Sequence, residues 1–197
     1  MKLSTLILIT GLVCNPSFFL KKHEKLETDT ERLNSQIEQV KSMTNIDYKY
    51  NKKIAFFIDM RIKSGNNRFF VCDLVQNKII DKGLVAHGSG SETGVKGELR
   101  FTNTPNSKSS SLGKYIIGKS YKGIFGKAYK LHGLDETNNK AFERHIVLHS
   151  YSAVPLEEQE YYISNSQGCP MVNSVFFQKI EKIIDASKSD IILNIYY

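Results

Sequence analysis

Apolar and polar positions follow different periods along this chain, and each change of period marks a new element. Leu3 to Val13 is mostly apolar, and Phe18-Phe19-Leu20 prolongs the run to Lys21-Lys22 after the interruption Asn15-Pro16-Ser17. With Lys2 as a minimal positive start, residues 1–22 read as a signal peptide or an uncleaved N-terminal membrane anchor. The run is marginal for a membrane span, which needs about 20 apolar residues. Residues 23–48 are polar with spaced apolar positions. Leu26, Leu33 and Val40 recur every seven residues with Ile37 between the last two, so one amphipathic helix is expected there. Such a helix packs on the domain, pairs with a second copy or spaces the domain from a membrane; two heptads are too few for a coiled coil.

From about residue 49 the texture turns to β-formers. Ile54 to Ile58 and Phe69 to Val75 predict strands around a Gly65-Asn66-Asn67 turn, and Lys78 to Ala86 reads as a third strand. Tyr115 to Gly118, Ala128 to Leu131, Arg144 to His149 and Ile191 to Tyr196 complete the set. One late helix is expected, capped by Asn173 or Ser174 and lined by Phe176, Phe177, Ile180, Ile183 and Ile184. Many short strands with few helices predict a mostly-β domain, sandwich or barrel-like, over residues 49–197. One or two packed helices and the N-terminal helix complete it.

The 197 residues suffice for one such domain plus its N-terminal appendage. A hydrophobic fraction of 41% and a charged fraction of 24% are ordinary for a globular protein. A formal charge of +7 suits an anionic surrounding or serves solubility alone. Nucleic acid is not an expected partner, because no Lys/Arg-rich patch or nucleic-acid motif is present. Three cysteines, Cys14, Cys72 and Cys169, do not make a disulfide framework. Cys14 lies in the export-like segment, in a Gly11-Leu12-Val13-Cys14 run that only faintly resembles a lipid-acylation site. Cys72 sits in a strand as a small buried thiol.

Cys169 remains, in Asn165-Ser166-Gln167-Gly168-Cys169-Pro170. The thiolate is the nucleophilic form, so a reactive Cys needs a partner to take its proton. His149, at the end of the strand-like run Arg144 to His149, is the candidate base, and acyl transfer through a thioester is the expected chemistry. Gly168 permits a sharp turn and close backbone approach, and N–H groups at such a turn can hold an oxyanion. Pro170 gives up its own N–H and stiffens the exit. The dipole of the helix starting near Asn173 could lower the thiol pKa. The bland alternative makes Cys169 a buried small hydrophobe on a tight turn.

A strand over residues 144–149 puts His145, Val147 and His149 on one face and turns Ile146 and Leu148 into the core. His145 then lies about 13 Å from His149, too far to share one small ion. A helix would instead give the two His metal-ligand spacing. The β-branched Ile146 and Val147 argue for strand, and no Glu follows His145, so neither metal nor cofactor is expected. The Gly/Ser loop after His87 and the polar stretch Asn103 to Ser111 are candidates for lining the cleft, although a turn that closes a strand accounts better for the His87 loop. Tyr115, Tyr121, Tyr129 and Tyr151 could stack on sugar rings, although core and rim positions account for them better.

These residues carry a resemblance. Ser166-Gln167-Gly168-Cys169-Pro170, preceded by Ile146-Val147-Leu148-His149, resembles the active-site signature of the YkuD-type L,D-transpeptidase catalytic domain. The murein L,D-transpeptidase subfamily is closer still. Val85 to Ser91, Phe101 to Pro105, Ser109 to Gly113, Leu131 to Leu134 and Asn138 match it in order, so the similarity covers roughly residues 50–197.

The resemblance implies that Cys169 attacks peptidoglycan stem peptides between an L-centre and a D-residue, with His149 as general base. Ser150 would orient the imidazole through its main-chain carbonyl, and Ser166, Gly168 and Cys169 would form the oxyanion-holding turn. Ser166, Gln167, His87 and Asn103 are the candidate substrate-side residues, the last two from their loops rather than from the resemblance. An amine would resolve the thioester as a transpeptidase does, and water as an L,D-carboxypeptidase does. The implied location is the periplasm or cell envelope. Many members carry His where Gln167 stands, and Asn soon after the Cys where this chain has Pro170-Met171. That departure keeps open a non-catalytic wall-binding domain. An L-peptide cysteine peptidase is disfavoured, since no Gln-Ala-Cys or Cys-Gly-Ser-Cys neighbourhood is present. Oligomeric state is left open.

Overall fold

The structure, a computed structural model, describes residues 27–197. The predicted signal or anchor at residues 1–22, Leu26 and Cys14 lie outside the described residues. The first helix, α1 (Asp29–Ile46), begins in a capping box. Thr28 Oγ1 accepts from Glu31 N and the Glu31 carboxylate accepts from Thr28 N, which satisfies two N–H groups that have no partner within the helix. Its stripe Leu33, Ile37 and Val40 packs onto Ala55, Phe57, Phe70, Cys72, Leu74, Ile192 and Tyr196. Of the roles open to this helix, packing on the domain is the one these contacts show. Burying each such side chain stabilises by about 1.5–3 kcal/mol. Arg32 adds a buried ion pair to Asp59, at 2.9 Å.

Nine strands follow: β1 (Ile54–Asp59), β2 (Phe69–Asp73), β3 (Lys78–Gly83), β4 (Val85–Ala86), β5 (Gly113–Gly123), β6 (Gly126–Gly133), β7 (Val147–Ser150), β8 (Met171–Val172) and β9 (Ile192–Tyr196). They form one sheet in the order β3-β2-β1-β9-β5-β6-β7-β8-β4. The β1–β9 and β7–β8 pairs are parallel. β3 and β4 are separated by Leu84 alone, yet they lie at opposite edges of the sheet. The sheet must therefore curl into a nearly closed, barrel-like form, and the domain is mostly β as expected.

Strand alternation sorts side chains to the two faces. Phe56, Ile58, Phe69, Val71, Leu193 and Ile195 face the main core, while Ala55, Phe57, Phe70 and Cys72 face α1. The second helix, α2 (Ser174–Ala186), is capped by Asn173, whose side chain accepts from Val175 N. It seals the main core with Phe176, Phe177 and Ile180.

Two strand expectations change. Lys78 to Ala86 is not one strand: the chain breaks at Leu84 so that β4 can pair with β8, and Gly83 leaves room there for the Phe176 ring. Arg144 to Ile146 is not strand either. His145 has φ +56° and its N–H donates to Phe142 O, so a turn precedes β7. The shared face predicted for His145 and His149 therefore does not form. Ile146 and Leu148 still enter the core.

Candidate active site

The parallel β7–β8 pair sets the site. Its register places His149 beside Met171 and Ser150 beside Val172. Cys169, two residues before Met171, thus comes abreast of Val147. The Val147 N–H donates to Cys169 Sγ at 3.4 Å, and Sγ points toward His145 O at 3.7 Å. Cys169 and His149 open on one cleft of about 400 Å³, which Phe125, Tyr151, Gln167 and Lys108 also line. Both described cysteines, Cys72 and Cys169, are free thiols.

His149 is buried and tightly oriented. Its Nδ1 lies 2.9 Å from Ser150 O. A carbonyl only accepts, so Nδ1 carries the proton and Nε2 presents a lone pair. Phe125, at the tip of the β5–β6 hairpin, stacks on the imidazole at 5.2 Å between centroids and 18° between planes. Tyr151 meets Phe125 edge-on at 5.5 Å. The hairpin tip is carried over the imidazole by β6–β7 pairing, which sets Ala128 beside His149.

Among the described residues, no hydrogen bond joins Sγ to the imidazole. Burial raises the Cys169 thiol pKa; the Val147 N–H and the Arg144 charge oppose it. Burial lowers the His149 pKa, and the bond to Ser150 O opposes it. Both shifts favour the uncharged forms, so the resting pair at neutral pH is a thiol and a neutral imidazole. Along the chain, the two-residue β8 lies between Cys169 and the first turn of α2.

The turn ahead of Cys169 is built from main-chain bonds. Ser166 N donates to His87 O and Ser89 N to Ser166 O, both at 2.8 Å. Ser166 Oγ accepts from Gly168 N at 3.0 Å, and Gly168 has φ +115°. The Gly168 N–H is therefore occupied, whereas the Cys169 N–H makes no hydrogen bond among the described residues. Ser110 Oγ accepts from Gly88 N and faces Gly168 O.

The predicted site residues thus divide. Cys169, His149, Ser166 and Gln167 line the cleft, with Ser150 holding the imidazole and Gly168 shaping the turn. The His87 side chain lines a separate cavity of about 270 Å³ with Arg68 and Glu92. Asn103 is elsewhere too, donating to Glu136 O and Asn139 Oδ1. Lys108 belongs to the Asn103–Ser111 stretch expected to line the cleft, whereas two neighbours of the site, Phe125 and Arg144, escaped the sequence reading. Arg144 binds Ser109 O, Thr102 O and Ser111 Oγ and bears electrostatically on Cys169. A Gly-Ile-Phe-Gly hairpin tip was the one available signal for Phe125. Among the described residues, no group of three or more His, Cys, Asp or Glu side chains is placed to hold a metal ion.

The family model for the L,D-transpeptidase catalytic domain matches residues 24–196. No curated protein matches the chain. Among solved structures, the chain is similar to the L,D-transpeptidase (residues 123–326) from Xylanimonas cellulosilytica DSM 15894, at 13% identity and a TM-score of 0.38. The match covers 79% of this chain and 69% of that one.

Proposed function

The chain belongs to the L,D-transpeptidase catalytic domain family, and from that premise we propose that it is a cysteine-dependent L,D-transpeptidase acting on peptidoglycan stem peptides. The observation that carries this reading is the shared cleft of Cys169 and His149, with Nδ1 tied to Ser150 O and Nε2 left as base. In this reading a stem peptide enters the cleft and the sulfur swings from Val147 N–H toward the scissile carbonyl. Catalytic contacts often tighten only when substrate is bound. Nε2 takes the thiol proton as Sγ bonds to the carbonyl carbon between the L-centre and the D-residue. The Cys169 N–H donates to the developing oxyanion, an effect worth about 3 kcal/mol. Collapse breaks the C–N bond, the imidazolium returns its proton to the leaving amine, and a thioester remains. An amine from a second stem then attacks it and forms a cross-link; water gives L,D-carboxypeptidase trimming. No cofactor takes part. Residues 1–22 would deliver the domain to the periplasm or cell envelope, as a cleaved signal or a retained tether.

The test is turnover of a tetrapeptide stem ending in a D-residue against its all-L counterpart. Wild-type protein should release the D-residue or transfer to an added amine only from the first peptide. Cys169→Ala and His149→Ala should fall by ~10³-fold or more. Equal turnover of the all-L peptide would instead favour an ordinary cysteine peptidase. A second reading is motivated by Gln167 and by the unbonded resting pair: a wall-binding domain without catalysis. Salt-sensitive retention on purified sacculi with no turnover by wild type would favour it.

A further inference from the structure

His87 lies behind the cysteine turn, with its imidazole between two charged groups. Arg68 Nη2 lies 2.9 Å from His87 Nδ1, and Glu92 Oε1 lies 2.7 Å from His87 Nε2. A guanidinium only donates, so Nδ1 must accept and the imidazole proton sits on Nε2, facing Glu92. The tautomer is thereby fixed, and a proton added at Nδ1 would meet the Arg68 cation. Arg68, from the chain just before β2, and Glu92, after the Ser89–Ser91 turn, are the charged groups facing the ring. Arg68 is fully buried and is anchored by Val85 O as well.

The same residues grip the turn that presents Cys169. Glu92 Oε1 also accepts from Asn165 Nδ2, at 3.2 Å. His87 O accepts from Ser166 N, and Ser166 Oγ accepts from Gly168 N. A continuous line of bonds thus runs from Arg68 through His87, Glu92 and Asn165–Ser166 to the residue before the thiol.

We propose that His87 and Glu92 are positioning residues for Cys169, holding Asn165–Gly168 so that sulfur and the Cys169 N–H meet the scissile carbonyl together. The proposal rests on the transpeptidase reading for its reaction, though not for its geometry. Burial and Arg68 both lower the His87 pKa, while Glu92 raises it, so the imidazole stays neutral at neutral pH. Protonation in acid would break the Arg68 contact and release the turn.

The experiment uses the full chain and the variants His87→Ala, Glu92→Ala and Glu92→Gln. Three readouts are taken: kcat and KM on the D-containing stem, the pH profile of kcat, and iodoacetamide labelling of Cys169 and Cys72 resolved by peptide mass. Cys72 is completely buried and reports general loosening. His87→Ala and Glu92→Ala should lose about tenfold or more in kcat, the scale of an ångström-level misplacement, with KM little changed. Cys169 should label faster while Cys72 stays protected. Glu92→Gln keeps an oxygen acceptor for both bonds and should retain most of kcat. Beside the acid limb that His149 sets, the further loss in acid that His87 protonation causes should move to lower pH, because a protonated His87 loses its carboxylate partner. Glu92 is partly exposed, so its variants should fold even if His87→Ala does not. Wild-type kcat and labelling in both alanine variants would overturn the proposal. So would a Glu92→Gln variant as damaged as Glu92→Ala, or Cys72 labelling in step with Cys169. If wild type turns over no stem peptide, the functional reading fails by itself, and the labelling comparison still decides the positioning role.

Discussion

Replacing Gly168 with Ala perturbs the site through a single methyl group. At φ +115° an L-residue is strained by about 1–3 kcal/mol. The added Cβ would also lie 2.9 Å from Ser109 O and 3.1 Å from Ile146 Cδ1. Neither neighbour yields freely: Ser109 O is held by Arg144 Nη2 at 2.5 Å, and Ile146 is in the core. Strain and displacement together should cost about 2–4 kcal/mol. For a domain of this size about 1 kcal/mol lowers Tm by about 2–4 °C, so a fall of roughly 5–15 °C is expected. The turn must shift to relieve the clash and carries Cys169 with it, so kcat on the D-containing stem should fall by ~10- to 100-fold. Thermal melting and steady-state kinetics on the same preparation read both effects. A variant with wild-type Tm and wild-type kcat would refute the claim that this turn is sterically fixed.

Three more outcomes follow from named contacts. Arg32→Ala leaves the fully buried Asp59 carboxylate without its cation, and urea unfolding at pH 7 should show a loss of about 3–5 kcal/mol; a loss below about 1 kcal/mol would contradict the burial of this pair. His87 and His149 both have folded-state pKa values below the usual 6.5, so the unfolded chain binds more protons as the solution is acidified. Their contribution is fully present above about pH 6.5 and is lost as pH falls through the folded-state values; a urea midpoint that rises on acidification would oppose this sign. Phe125→Ala should open the His149 imidazole to water and move the acid limb of kcat/KM up toward pH 6.5, with little change in Tm because Phe125 is half exposed; an unmoved limb would show that the ring does not desolvate the base.

Much of the fold was legible because local pattern and burial agree. Ile54–Ile58 and Phe69–Cys72 read as strands from their β-branched and aromatic content, and both faces are buried because α1 covers one and α2 closes the other. The Asn173 cap was readable since capping is local chemistry. The failures are non-local. His145 adopts a left-handed conformation that no side chain announces, and the turn bonds of Ala141, Phe142 and Lys140 hold it there. The break at Leu84 arises because consecutive strands go to opposite sheet edges, a consequence of closure that hydrophobic pattern does not encode. At the site, Cys169, His149 and Ser150 could be read from motif and spacing. Phe125 reaches His149 only through β6–β7 register, and Arg144 reaches the cysteine turn only through the fold of the Ser107–Ser111 segment. His87 was visible as a motif residue, but its place behind the turn depends on the buried Arg68.

The central claim is that Cys169 becomes acylated with His149 as its base. Intact-protein and peptide mass spectrometry after incubation with an acylating carbapenem or a D-containing tetrapeptide tests this most directly. One covalent adduct is expected, mapped to Cys169, formed far more slowly in His149→Ala and absent in Cys169→Ala. An adduct that persists in Cys169→Ala, or that forms as fast in His149→Ala as in wild type, would contradict it.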